Sequence, residues 1–137
     1  MRSIEPSRLL RFAFGLDAVG TGAVAAVQLI ALDRLPALLN LPHALLLESG
    51  LFMAAYAALL LMLMRAGRLW AALVRFIVIG NGLWALGCLA MMAASAANGW
   101  GVGWLLFQAV AVLLFAGLQL AGLKASALRS PVLAARA

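Results

Sequence analysis

Cysteine, histidine and acidic residues are almost missing from this chain: one Cys, one His and 4 Asp+Glu in 137 residues. A lone Cys88 admits no intrachain disulfide and no Cys-rich metal site. Set inside an apolar run, it reads as a small buried hydrophobe. A lone His43 excludes bis-histidine haem ligation within one chain, and beside Pro42 it reads as a solvated interfacial residue. The chain also lacks a Ser-His-Asp set, a Cys-x-x-Cys pair and a Walker loop. The glycines around Gly99–Gly103 follow no strand, so they read as a loop between helices rather than a phosphate cradle. Charge of either sign is scarce, at 10% of residues, against 67% hydrophobic and a mean hydropathy of +1.12. An average soluble domain is about half apolar and about a quarter charged. A chain this apolar could not cover its own surface in water, and lipid is the solvent that fits.

What charge there is leans to one sign, with a net of +6. That balance invites a nucleic-acid reading, but the basic residues form no helix face and are not interleaved with aromatics. They cluster instead at the ends of apolar runs: Arg2, Arg8 and Arg11, then Arg65, Arg68 and Arg75, then Lys124, Arg129 and Arg136, with Arg34 apart. Water and anionic lipid headgroups are the partners this pattern implies, and no nucleic acid is expected.

A membrane-spanning helix needs about 20 apolar residues. Four runs qualify, at about 9–32, 43–64, 69–94 and 102–123. The first is too long for the roughly 7–15-residue core of a signal peptide and no small-x-small cleavage site ends it, so it reads as a retained span. Asp33-Arg34-Leu35-Pro36 breaks it, and residues 35–42 read as a short interfacial segment before Pro42 opens the next helix. Residues 125–137, with Ser130-Pro131, read as a frayed tail. Continuous apolar runs, rather than alternation, exclude a β-barrel. Backbone groups in hydrocarbon must be satisfied internally, so the runs should be helices. The expected fold is all-α: one membrane domain over residues 1–137, an antiparallel bundle of four transmembrane helices. The Lys/Arg excess at the N-terminus, middle connection and C-terminus places both termini in the cytoplasm of a bacterial inner membrane. Trp70, Trp100 and Trp104 suit the interfacial belts.

An ionisable residue within a span is a functional candidate by default. Asp17 lies about six residues in from Arg11, roughly 9 Å deep. Arg75 lies at similar depth in the third span. A facing Asp17–Arg75 pair, completed by Gln119, is one reading; a snorkelling Arg75 is the other. Glu48, Gln28 and Gln108 could line a polar vestibule at the opposite end, or Glu48 could simply reach the headgroups. Tyr56, Asn81 and Trp84 lie near mid-membrane, where an Asn usually bonds another helix. Gln108 and Gln119 are eleven positions apart and share one helical face. Small residues, among them Ala18, Gly22 and Ala26, Gly80 and Gly87, and Gly117 and Ala121, mark expected helix contacts.

Several short motifs carry a resemblance. They are Asp17-x-x-Gly20, Leu39-Asn40-Leu41-Pro42, Asn81-x-x-Trp84 and Leu118-Gln119-x-x-Gly122-Leu123. In these the chain resembles small, uncharacterised four-span membrane proteins of bacteria. That family has no assigned reaction, so the resemblance implies no catalytic residues. In size and span number the chain is also similar to the DoxX-like proteins, which implies a redox-associated partner. The expected function is that of a structural or accessory membrane component without its own catalysis, not an enzyme, with no cofactor and no metal. Its partners would be the bilayer and either further copies of itself or a larger membrane complex. The alternative is a small transporter or ion-coupled carrier using Asp17, Glu48 and Asn81. A third reading is an enzyme subunit that binds a quinone or haem supplied by partners.

Overall fold

The computed structural model describes residues 3–134, with side chains described to residue 126. A two-residue strand β1 (Ser3–Ile4) leads into α1 (Arg8–Ile30). A short α2 (Leu35–Leu39) and α3 (His43–Arg65) follow. Strand β2 (Leu69–Trp70) then precedes α4 (Ala71–Ala94) and α5 (Gly99–Ala134). Four of the helices are long and apolar enough to cross a membrane. At 1.5 Å per residue, a helix of 23 residues such as α1 or α3 extends roughly 35 Å, which clears a hydrocarbon core of about 30 Å. The chain is an all-α, multi-pass membrane protein.

Local chemistry explains the helix boundaries. Ser7 caps α1: its Oγ accepts from the Leu10 N–H at 3.1 Å and so satisfies one of the helix's orphan donors. Helix α2 stops at Asn40, which adopts the left-handed conformation at φ 51°, tolerable for an Asn. Pro42 sits just before α3, where a missing N–H costs nothing. Asn98 caps α5, its Oδ1 accepting from the Gly101 N–H at 3.0 Å. The expected Gly99–Gly103 loop is therefore the first turn of α5, because Asn98 supplies the cap and Gly101 lies against the carbonyl of Leu39. Helix α5 also runs past the expected end at 123. It includes the segment expected to fray, as far as Ala134; residues 135–137 lie outside the described residues.

Helix α1 packs on α3 and on α5, and α4 packs on α5. No comparable packing joins α3 to α4, although a short connection links them. The bundle thus has three closed sides and one open side. Strands β1 and β2 pair antiparallel, Ser3 with Trp70 and Ile4 with Leu69, and tie the N-terminal segment to the α3–α4 connection. The apolar core falls into two clusters. One lies at the basic end, around Leu10, Phe14, Leu60, Val74 and Leu123. The other lies at the opposite end, around Leu39, Leu46, Ala85, Leu105 and Val112. There α2 is part of the core, with Leu35 and Leu39 buried against its neighbours.

Candidate functional site

A polar cluster lies in the bundle interior, and each of the four long helices supplies part of it. Asp17, at 0% exposure, is its hub. Thr21, one turn further along α1, donates from Oγ1 to Asp17 Oδ1 at 2.8 Å. Gln119 on α5 donates from Nε2 to Oδ2 at 2.7 Å, and Asn81 on α4 donates from Nδ2 to the same oxygen at 3.1 Å. The Asn81 Nδ2 also reaches Gln119 Oε1 at 3.2 Å. Tyr56 on α3 stands 3.1 Å from Asn81 Oδ1 and 3.4 Å from Asp17 Oδ2. Its single hydroxyl proton serves the nearer Asn81 best. All of these partners are neutral. The carboxyl group is held by hydrogen bonds rather than by a cation, and the network fastens four spans at one level.

Arg75 is not part of this cluster. It is exposed on α4 and makes no contact with Asp17, so the expected ion pair is replaced by neutral donors. Two facts of placement explain this. Arg75 lies only four positions after Ala71, near the basic end of α4, and on its outward face. Asp17 lies nine positions after Arg8, close to the midpoint of α1. Gln119 does sit beside Asp17. Of the expected vestibule of Gln28, Glu48 and Gln108, Gln28 and Gln108 line one interior space and Glu48 does not. Gln28, 1% exposed, donates to the Leu46 carbonyl and to Ser49 Oγ, each at 2.6 Å, and so fastens α1 to α3. Gln108 accepts from Trp84 Nε1 at 3.4 Å. Glu48 is exposed and does not line the interior space; its neighbour Ser49 does.

The open side between α3 and α4 is a cleft of about 880 Å³. Its walls are mostly apolar, from Leu45, Met53 and Leu59 on α3 to Leu73, Phe76 and Leu83 on α4. Thr21, Tyr56 and Asn81 line it as well, so the cleft reaches the Asp17 cluster. Only side chains cross the gap. Phe52 stacks on Trp84 with ring centroids 5.6 Å apart and planes 9° apart, and Tyr56 reaches Asn81. Trp104 lines the cleft towards the end remote from the basic residues, and its Nε1 is a buried donor with no acceptor among the described residues. Gly80 and Gly87, expected at a helix contact, line the cleft and would meet nothing within 4 Å.

Thr21, Ser49 and Phe52 were not among the residues expected at the site. For Thr21 the signal was available: it stands four positions after Asp17, where a helix brings side chains together. A stacking Phe in an apolar run carries no such mark. His43 is exposed and Cys88 is buried, and among the described residues no three His, Cys, Asp or Glu side chains gather in a metal-binding group. No protein-family model, no curated protein and no solved structure matches this chain.

Proposed function

We propose that this chain is an accessory protein of a bacterial inner membrane, with both termini cytoplasmic and without catalysis of its own. Its working part is the cleft between α3 and α4, which holds a bilayer-soluble molecule. The protein acts beside further copies of itself or a larger membrane complex. The orientation is supported by Arg8, Arg11, Arg65, Arg68 and Lys124, which all fall at one end of the bundle, as the excess of Lys/Arg in cytoplasmic connections requires. The observation that carries the binding reading is the open side itself. Its volume of about 880 Å³ falls within the roughly 300–1,000 Å³ of ligand pockets. It is open to the hydrocarbon layer, where an apolar molecule is already dissolved. The unpaired Trp104 N–H adds support, since a buried donor without an acceptor costs about 1–3 kcal/mol and an incoming carbonyl or ether would offset this.

The test is binding of an environment-sensitive apolar dye to the purified chain. Saturable binding near one dye per chain is expected, and it should be lost in Gly80→Leu, which places a side chain in the cleft from a position where a Cβ meets nothing within 4 Å. Binding that never saturates, or that Gly80→Leu leaves intact, would overturn the reading.

One observation favours a second reading, an ion-coupled carrier. Asp17 is an acidic group buried at mid-span, and Thr21, Tyr56 and Asn81 link it to the cleft. Glu48 leaves this set because it lies outside the cleft. Ion or solute flux in liposomes that Asp17→Asn abolishes while folding persists would establish the carrier and remove the accessory role.

A further inference from the structure

A second, smaller space lies beside the cleft at the basic end. A notch of about 330 Å³ is lined by Ser3, Arg68, Leu69, Trp70 and Leu73, and Leu73 also lines the cleft. One side chain thus borders both spaces, one basic and interfacial, the other apolar and membrane-deep. The notch exists because β1 pairs with β2 and holds Ser3 opposite Trp70. Arg68 is exposed and forms no ion pair with any described residue. The register that pairs Ile4 with Leu69 brings Glu5 towards Arg68, yet the two make no ion pair. Trp70, 56% exposed, offers an amphipathic ring at the level where headgroups lie.

We propose that this composite site binds one anionic membrane lipid from the leaflet at the basic end, its acidic headgroup in the notch at Arg68 and an acyl chain running past Leu73 into the α3–α4 cleft. The inference rests on the reading of the cleft as a binding site and names what enters it. A free phosphate would satisfy Arg68 but leave the cleft empty. A neutral apolar molecule would fill the cleft but leave Arg68 without a counter-charge. Only an amphiphile with an acidic head meets both spaces, and the bilayer supplies it. Arg68 is specific because of its position. Arg75 is equally basic and exposed, but it lines neither space, so it adds only the diffuse attraction that any basic residue exerts on an anionic surface.

The experiment is native mass spectrometry of the delipidated full chain, titrated with phosphatidylglycerol or with phosphatidylcholine of the same acyl chains, and separately with inorganic phosphate. One phosphatidylglycerol per chain is expected to bind in preference to phosphatidylcholine, with no retention of phosphate. Arg68→Gln should weaken phosphatidylglycerol binding roughly tenfold or more, the worth of a hydrogen bond to a charged group, and bring it towards phosphatidylcholine. Arg75→Gln should leave it nearly unchanged. Gly80→Phe should displace the lipid, and because Arg68→Gln changes only an exposed loop side chain, the proposal stays testable if Gly80→Phe fails to fold. Equal loss in Arg68→Gln and Arg75→Gln would overturn the proposal in favour of diffuse surface attraction. Equal binding of the two lipids, displaced by Gly80→Phe, would overturn the headgroup site and leave the cleft reading standing. No lipid binding together with no dye binding would remove both. Retention of phosphate alone, or a co-purified transmembrane segment seated in the cleft, would also overturn it.

Discussion

The α1–α5 side of the bundle is closed and the α3–α4 side is open, though both are made of glycine, amide and aliphatic residues. On the closed side, Gly122 lies so near α1 that a Cβ there would stand 2.6 Å from Leu10 Cα and 2.7 Å from Leu10 N. The Ser7 Oγ donates to the Gly122 carbonyl at 2.9 Å, and the Ser7 N–H donates to Ser126 Oγ at 2.9 Å. On the open side, Gly80 and Gly87 face empty space. A glycine in a membrane helix therefore has two uses. It brings backbones together where dispersion and hydrogen bonds drive association, or it keeps a wall thin where something else is to be accommodated. The spacing of glycines in the sequence does not distinguish the two.

Substitution at the two kinds of glycine gives the largest contrast. Gly122→Leu forces the α1 and α5 backbones apart and is expected to cost roughly 3 kcal/mol or more. That is a large share of a total stability of about 5–15 kcal/mol. Gly80→Ala meets no neighbour and removes a flexible residue from a helix, so it should be neutral or stabilising by up to about 1 kcal/mol. Unfolding titrations in mixed detergent micelles measure both. Two effects of the same sign and similar size would erase the distinction between closed and open sides.

Next in size is the hub that both sides share. Asp17→Ala leaves the Gln119 amide and the Thr21 hydroxyl buried without their acceptor and should cost about 1–3 kcal/mol. Asp17→Asn should cost much less, because the new Oδ1 can accept from Gln119 and Asn81 while its amide turns to the Thr21 hydroxyl. The same titration distinguishes the pair. Equal losses would mean that the negative charge, and not the acceptor geometry, holds the helices together. Ser7→Ala removes the α1 cap together with its bond to Gly122, and a loss of about 1 kcal/mol is expected.

The spans were legible because their signal is compositional. Runs of apolar residues bounded by Arg65, by Arg68 and by Lys124 can be counted without knowing what packs on what. The inward placement of Asp17, Asn81 and Gln119 was also legible, since a polar group in hydrocarbon must find a partner. Choosing the partner was not. Charge complementarity favoured Arg75, but Arg75 could reach the headgroups along its own aliphatic stem at small cost. Asp17 then took the neutral amides already at its level. The open side was hidden for another reason. A short connection between α3 and α4 implies neighbours, yet it fixes only their ends, and the β1–β2 pairing that occupies this connection gives a signal of just two residues per strand.

Tyr56 offers the smallest and sharpest probe of the comparison. Its hydroxyl is one of the few polar links across the gap, 3.1 Å from Asn81 Oδ1, while its ring is stacked near Phe52 at 6.3 Å between centroids. Tyr56→Phe keeps the ring and deletes the link. Interhelical hydrogen bonds in membranes average about 0.6 kcal/mol, because the separated helices find other partners, and that is the loss expected here. A double-mutant cycle of Tyr56→Phe with Asn81→Ala isolates the coupling from the other bonds that Asn81 makes. A coupling near 0.6 kcal/mol fits a side bridged by side chains alone. A coupling above about 2 kcal/mol would mean that α3 and α4 are held as firmly as α1 and α5, and a molecule from the bilayer could then enter only by unfastening the bundle's own polar core.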